Sequence, residues 1–326
     1  MAYRRHSPLE PMASEYEKAL RRQLKRLPEI RADTTREILR LLSEAQQDIA
    51  ARLTKATPGS VSKMRQQQKE IRAAIERFGT AADAGMQRAL GTSWRAGVEL
   101  LVEPIHAAGA QRLGAALKIN DRSLRAMREF TTDKIKDISL RAVNRVNSEL
   151  GGVILGTTPM PDAITNIQKT LGGVTRQRAM TVAYTNVGMT YSAASYESML
   201  AAERLGIAIA KRWMKSGKLH ARAGHVAAHN QIVRVSQPFL IADPKTGRVE
   251  ELKFPRDPAA SIANTISCGC MMAPVLGGST FGASVVEIPD DPNQPIRKVS
   301  PAQREQNNRE VIDRVNDRLD RFLESD

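Results

Sequence analysis

Residues 207–213 have the sequence IAIAKRW, and the alternation of Ile207, Ile209 and Trp213 with other residues predicts a β-strand. A long helix is expected directly before it, over residues 175–205. Three further short runs of β-forming residues are expected to be strands: 232–235, 239–241 and 249–254. Turn-forming residues 243–247 would join the last two in a hairpin. The second half of the chain is therefore predicted to be α+β, with a small antiparallel sheet beside helices.

The first half of the chain is predicted to consist of long helices. After a capping box at Thr34–Glu37, apolar residues between Ile38 and Leu53 recur at helical spacing. Similar stripes cover residues 71–86 and 135–150, and Gly151-Gly152 is expected to end the last of these helices. Such stripes fit an intramolecular bundle, and they also fit contacts with a partner helix or another copy.

Changes in composition divide the chain into five predicted parts. In chain order they are a basic N-terminal arm at 1–30, a helical region at 31–156, an α+β domain at 157–286, a linker at 287–299 and a terminal amphipathic helix at 300–326. Within the α+β domain, Gly172-Gly173 is expected to close a short helix. The proline-containing linker and the apolar stripe of the last helix suggest docking onto a neighbouring protein.

The charge of the chain points to a polyanionic partner. Its 326 residues include 49 Lys+Arg against 35 Asp+Glu, a net charge of +14, of which residues 1–150 carry +10. Contact with nucleic acid is expected through phosphates, because no base-reading motif accompanies the charge. The alternative is a solvated helix surface that favours Lys and Arg. No apolar run approaches the ~18 residues of a membrane span, and no secretory signal is apparent.

Three of the five histidines and both cysteines fall between His220 and Cys270. His225 and His229 are four residues apart and would share one face of a helix. With Cys268 and Cys270 they could form a nitrogen–sulfur set of the kind that zinc prefers. The alternative is that the two cysteines pack as small apolar groups around Gly269.

A catalytic interpretation of the same window is weaker. His229-Asn230 is superficially similar to the His and Asn residues of nucleases in which a histidine activates water beside a metal-bound phosphate. Supporting carboxylates are not apparent around this pair, and the sequence holds no complete catalytic set. A non-enzymatic protein is therefore expected, with a metal-dependent nuclease acting on DNA as the alternative.

Four ordered elements over about residues 160–275 resemble the phage head-morphogenesis proteins similar to the F protein of phage Mu. They are Ala183–Asn186 in the long helix, Trp213 in the first strand, Arg222–His225, and Ser267–Cys270. Tyr184, Asn186 and Ser267 stand where the family typically has Arg, Glu and Asn.

The resemblance implies a minor head protein of a tailed bacteriophage. Such a protein acts in head assembly, first in the host cytoplasm and then in the interior of the virion head. Its expected partners are the portal protein, other capsid or scaffold proteins, and packaged DNA contacted through basic residues. No cofactor is implied, apart from the zinc that His225, His229, Cys268 and Cys270 could bind.

Overall fold

The structure, a computed structural model, describes residues 9–54, 61–109, 117, 121–216, 221–242 and 249–276. The predicted linker at 287–299 and terminal helix at 300–326 lie outside the described residues, as do His220 and the turn predicted at 243–247. Among the described residues, no helix is both long and apolar enough to cross a lipid bilayer.

Three long helices account for most of the first half: α1 (Leu9–Thr54), α2 (Val61–Ala107) and α3 (Arg122–Ile154). The predicted helix start at Thr34 is wrong, because α1 continues through both Pro28 and Thr34. Thr34 is buried, and its hydroxyl donates a hydrogen bond to the carbonyl of Ile30, 2.6 Å away, in the preceding turn. The side chain is therefore satisfied inside the helix instead of capping an end.

The third helix ends one turn later than the sequence predicted. It continues through Gly151-Gly152 to Ile154, and Gly156 follows with a φ of +72°. The backbone N–H of Thr157 donates to the carbonyl of Gly152 at 2.9 Å, which satisfies a carbonyl of the last turn. Because φ is positive at Gly156, that glycine ends the helix.

Helical structure then continues almost without interruption into the α+β half. It comprises α4 (Met160–Thr170), a π-helical turn (Leu171–Thr175) and α5 (Arg176–Arg204). Gly172-Gly173 therefore does not close a helix as predicted, because both glycines lie inside the π-helical turn. The long helix predicted over 175–205 is confirmed to within one residue at each end.

The chain divides into two compact units, one of which contains residues 28–92 and 124–187. The described residues of this unit form helices, joined at 155–159 by a turn. Its core joins the three apolar stripes found in the sequence: Ile49, Leu53, Ile71, Ala74, Ile75, Ala142, Val143, Val146 and Leu150, with Ile167 and Leu171. The stripes therefore pack against one another, which confirms the intramolecular alternative for these residues.

The other unit contains the described residues among 9–27, 93–123 and 188–276, and it holds all the described strands. These are β1 (Ile209–Met214), β2 (Ile232–Arg234), β3 (Phe239–Ala242), β4 (Val249–Leu252) and β5 (Met271–Leu276). One antiparallel sheet has the order β2-β1-β5, and β3 and β4 form a separate antiparallel pair. The α+β class and the predicted hairpin are confirmed, whereas β5 was not predicted.

Parts of three long helices belong to this same unit. Tyr16 of α1 is buried, and its hydroxyl donates to the carbonyl of Pro274 in β5 at 3.4 Å. Where α2 approaches α5, a Cβ added at Gly97 would clash with the carbonyl oxygen of Tyr191 and lie 2.8 Å from the Cβ of Ala194. The two helices can approach this closely because residue 97 has no side chain.

Candidate metal centre

Three of the four candidate ligands predicted from the sequence come together in the unit that contains the sheets. His225 lies in the short helix α6 (Ala223–Ala227), and Cys268 and Cys270 immediately precede β5. The Nδ1 atom of His225 is 3.5 Å from the Sγ of Cys268 and 3.4 Å from the Sγ of Cys270. All three ligand atoms lie within 4.8 Å of one another.

The three side chains are almost completely removed from solvent. His225 and Cys268 are each 2% exposed, and Cys270 is 1% exposed. The two cysteines are not joined by a disulfide. A buried nitrogen and two buried sulfurs at this separation form the kind of donor set that holds soft or borderline metal ions such as zinc.

The orientation of the His225 ring is fixed by Asn264, in the short helix α7 (Ile262–Thr265). The Nε2 atom of His225 lies 3.0 Å from the Oδ1 of Asn264. An amide oxygen only accepts hydrogen bonds, so Nε2 carries the proton and the Nδ1 lone pair faces the two sulfurs. Asn264 is itself 3% exposed, which holds the ring in this tautomer and direction.

A fully buried arginine supports the backbone of the Cys268–Cys270 segment. The Nη1 atom of Arg256 donates to the carbonyl of Cys268 at 2.8 Å and to that of Cys270 at 2.7 Å. Its Nη2 atom donates to the hydroxyl of Ser192 on α5 at 2.7 Å. Arg256 has a φ of +68°, a conformation that L-residues seldom adopt, and the surrounding hydrogen bonds hold it there.

The two thiols do not titrate alike. A hydrogen bond from Cys270 lowers the pKa of Cys268 well below that of a free cysteine, and His225 and the charge of Arg256 lower it further against the opposing effect of burial. The pKa of Cys270 is raised, because it holds the hydrogen bond to the Cys268 sulfur and is itself buried. Cys268 therefore loses its proton first, and Cys270 keeps the single proton that remains on the pair.

Trp213 closes one side of the cluster. Its ring meets the His225 ring edge to face, with centroids 5.3 Å apart, and it packs in a similar way on Phe239 at 5.2 Å. Trp213 is fully buried. The strand that was predicted from IAIAKRW thus supplies the aromatic wall beside the histidine.

Residues 151–270 match a family model described as Phage Mu protein F like protein. The resemblance inferred from the sequence is confirmed. The matched segment is a little over a third of the chain and ends at Cys270.

A curated relative, the uncharacterized protein YqbB of Bacillus subtilis (strain 168), is 32% identical over 114 residues. That alignment covers 34% of this chain and 35% of YqbB, so the chain matches about a third of the relative's length. No solved structure matches the chain.

Within the Mu F-like segment, three of the four ordered sequence elements meet in space. Trp213 contacts His225, and His225 contacts both cysteines of the last element. Arg222 reaches the residue just before the last element, where its Nη2 atom donates to the carbonyl of Ile266 at 2.5 Å. The order of these motifs along the chain thus corresponds to one packed cluster.

His229 does not join this cluster. Helix α6 ends at Ala227, so His225 and His229 do not share a helix face, and that part of the prediction is wrong. His229 is exposed, and its Nδ1 atom accepts a hydrogen bond from the backbone N–H of Lys215 at 3.3 Å. Asn230, its neighbour, adopts a φ of +66°, which is typical of a turn.

Sequence reasoning missed Asn264 and Arg256. Asn264 is four residues from Cys268, but nothing in its spacing distinguishes it from other asparagines of the chain. Arg256 is one of 49 basic residues, and only its burial separates it from the exposed majority. Both residues act through long-range contacts, for which the local sequence carries no periodic signal.

Lys211 is a second buried cation in the same unit, on β1. Its Nζ atom donates to the carbonyl of Lys253 at 2.7 Å and lies 4.7 Å and 4.9 Å from the ring centroids of Tyr196 and Phe239. Burial lowers the pKa of Lys211 to about 7, although the charges of Asp257 and Glu203 act in the opposite direction. The ammonium is thus held mainly by one carbonyl and two aromatic faces.

Proposed function

We propose that this chain is a minor head protein of a tailed bacteriophage, acting in head assembly and in association with the portal and the packaged DNA. The match of residues 151–270 to the Mu F-like family carries this proposal. Under it the chain is a structural component and not an enzyme, made in the host cytoplasm and then incorporated into the interior of the virion head. Capsid or scaffold proteins are further partners.

The structure of the Mu F-like segment supports a structural role for this part of the chain. The polar side chains around the cluster are buried and contact one another or the backbone: His225 contacts Asn264 and the two cysteines, and Arg256 donates to backbone carbonyls and Ser192. The groups that a reaction would need are thus buried and used in holding short, irregular segments together. Such a network specifies a rigid module.

Basic residues at the start of α2 support contact with DNA phosphates. Lys63, Arg65 and Lys69 are all exposed, and no described carboxylate forms an ion pair with any of them. The first turn of α2 contains no acidic residue, so these cations add to the positive end of the helix dipole. Positive charge concentrated at a helix N-terminus favours a polyanion.

Analysis of assembled particles tests the proposal. Particles would be purified from a host that carries the genome encoding this chain, treated with nuclease and protease to remove external material, and examined by mass spectrometry. We expect the chain in DNA-filled heads, and we expect it to co-purify with the portal protein when the two are co-expressed. Its absence from filled heads would contradict the proposal.

The nuclease alternative is tested separately with supercoiled plasmid and Mg²⁺, Mn²⁺ or Zn²⁺. We expect the plasmid to remain supercoiled with the wild-type chain. Cleavage that the His225→Ala or His229→Ala variant abolishes would favour the nuclease, because contaminating enzymes would be unaffected by either substitution.

A further inference from the structure

We propose that His225, Cys268 and Cys270 bind a zinc ion that ties the beginning of β5 to α6. The proposal rests on the geometry of these residues and is independent of the role in phage heads. The distances, hydrogen bonding and surroundings of the cluster distinguish a metal centre from a chance contact of small buried side chains.

The two nitrogen–sulfur separations within the cluster match those of a tetrahedral zinc site. Zinc lies about 2.0–2.1 Å from a histidine nitrogen and about 2.3 Å from a cysteine sulfur. With tetrahedral angles, these bond lengths place nitrogen and sulfur roughly 3.5 Å apart. The two distances found between the Nδ1 of His225 and the cysteine sulfurs are 3.5 Å and 3.4 Å.

Hydrogen bonding alone accounts poorly for the same arrangement. The Nδ1 atom of a neutral imidazole has a single lone pair in the plane of the ring, so it accepts one good hydrogen bond. Two sulfurs approach that atom at nearly equal distances. An ion placed between the three atoms satisfies the nitrogen and both sulfurs at once.

The surroundings of the cluster are those that a metal-bound histidine and thiolates require. Asn264 accepts a hydrogen bond from the Nε2 side of His225, which leaves Nδ1 free to bind a metal. The backbone N–H of Cys270 donates to the Sγ of Cys268 at 3.4 Å, and the backbone of Ser216 hydrogen-bonds the thiol of Cys270. The guanidinium of Arg256 adds a positive charge beside the two thiolates.

The site is structural, because its ligands are buried. The described residues supply three of the four ligands that zinc commonly takes. The metal would link α6 to the Cys268–Cys270 segment, which follows Ser267, a residue with a φ of +52°, and leads directly into β5. It would thus fix a short, irregular connection that has little secondary structure of its own.

Metal analysis of the full chain tests the proposal. The protein would be purified without an affinity tag, under reducing conditions, from cells supplied with zinc, and then dialysed against a weak chelator. We expect one zinc per chain by elemental analysis. A chain that is free of zinc after this treatment, and that takes up none on reconstitution, would refute the site.

Variants assign the ligands. His225→Asn, Cys268→Ser and Cys270→Ser are each expected to lose the zinc, whereas His229→Asn, which alters the exposed histidine outside the cluster, is expected to retain it. Retention of zinc by all three ligand variants, or its loss in the His229 variant alone, would overturn the assignment.

A measurement on the wild-type chain covers the case in which a ligand variant fails to fold. An organomercurial reagent would be titrated into the zinc-loaded protein while released zinc is followed with a coloured indicator. We expect zinc release in proportion to modification of the two thiols, since the chain contains no other cysteine. Complete thiol modification with the zinc still bound would show that the metal lies elsewhere. Cobalt substitution should add a thiolate-to-metal charge-transfer band, and its absence would likewise count against the site.

Discussion

The Nη1 atom of Arg256 lies 2.7 Å from the carbonyl oxygen of Cys270, and the same atom also binds the carbonyl of Cys268. One nitrogen thus holds the carbonyl groups of the two residues on either side of Gly269. Arg256 is completely buried, so these hydrogen bonds are formed away from solvent.

Replacement of Arg256 by Met is therefore expected to be strongly destabilising. The variant loses hydrogen bonds to two carbonyls and to Ser192 and leaves these acceptors buried, so we expect the free energy of unfolding to fall by about 3–5 kcal/mol. Urea denaturation measures the change. The matched control is Arg234→Met on β2, an exposed arginine, which should change stability by about 0.5 kcal/mol or less. Equal effects at the two positions would contradict the role given to Arg256.

Stability is expected to depend on pH through Lys211. Its pKa is about 7 in the folded chain and returns towards 10.5 on unfolding, so the unfolded chain binds more protons between these values. The free energy of unfolding should therefore rise with pH across that window, by about 1–3 kcal/mol between about pH 6 and about pH 9.

Denaturation of the Lys211→Met variant over the same pH range isolates this contribution. The variant lacks the titrating group, so its stability should rise less with pH than that of the wild-type chain. A wild-type chain and a variant with parallel pH profiles would show that Lys211 does not carry the effect.

Two glycines in long helices should respond in opposite ways to alanine. Gly97→Ala places a Cβ against the backbone of α5 and should lower the free energy of unfolding by about 1–3 kcal/mol. Gly151→Ala, in α3, meets no atom within 4 Å and should raise it by up to about 1 kcal/mol through improved helix propensity. Thermal and urea denaturation compare them. Stabilisation by Gly97→Ala would contradict the close helix contact.

DNA binding, if it uses phosphates, should weaken steeply with salt. Lys63→Gln, Arg65→Gln and Lys69→Gln combined should lower affinity for unrelated duplexes alike and reduce the slope of log affinity against log salt by about 0.9 per lost contact. Fluorescence anisotropy at several salt concentrations measures both.

The control for this experiment combines Arg36→Gln, Arg40→Gln and Arg72→Gln. Each of these exposed arginines already pairs with a carboxylate on its own helix: Asp33, Glu44 and Glu76, respectively. The control should therefore leave DNA affinity nearly unchanged. Equal losses in the two triple variants would point to net charge alone and not to the start of α2.

The spacing of apolar residues along the chain predicted strand β1 and the buried faces of the long helices. The alternation before Trp213 found β1, and the spacing of apolar residues placed the core stripes. Strand β5 was missed because its sequence, MMAPVL, is apolar without alternation and includes Pro274. Its strand conformation comes from pairing with β1, about sixty residues earlier, a contact with no local signature.

The candidate site was predicted in composition but not in geometry. The sequence named His225, Cys268 and Cys270, which do converge, together with His229, which does not. The two histidines look equivalent at a spacing of four, and only the end of α6 at Ala227 separates them. Whether a short run forms one helical turn or two depends on its tertiary contacts, which residue spacing does not encode.

Pro274 limits pairing between the β5 strands of different molecules. In the three-stranded sheet β5 is an edge strand, and an edge with a full row of free N–H and C=O groups can recruit a strand from another molecule. Proline removes one donor from that row, and the Tyr16 hydroxyl already occupies the carbonyl of the same residue. The edge is thus a poor template for intermolecular β-pairing, which lowers the tendency of the chain to aggregate at high concentration.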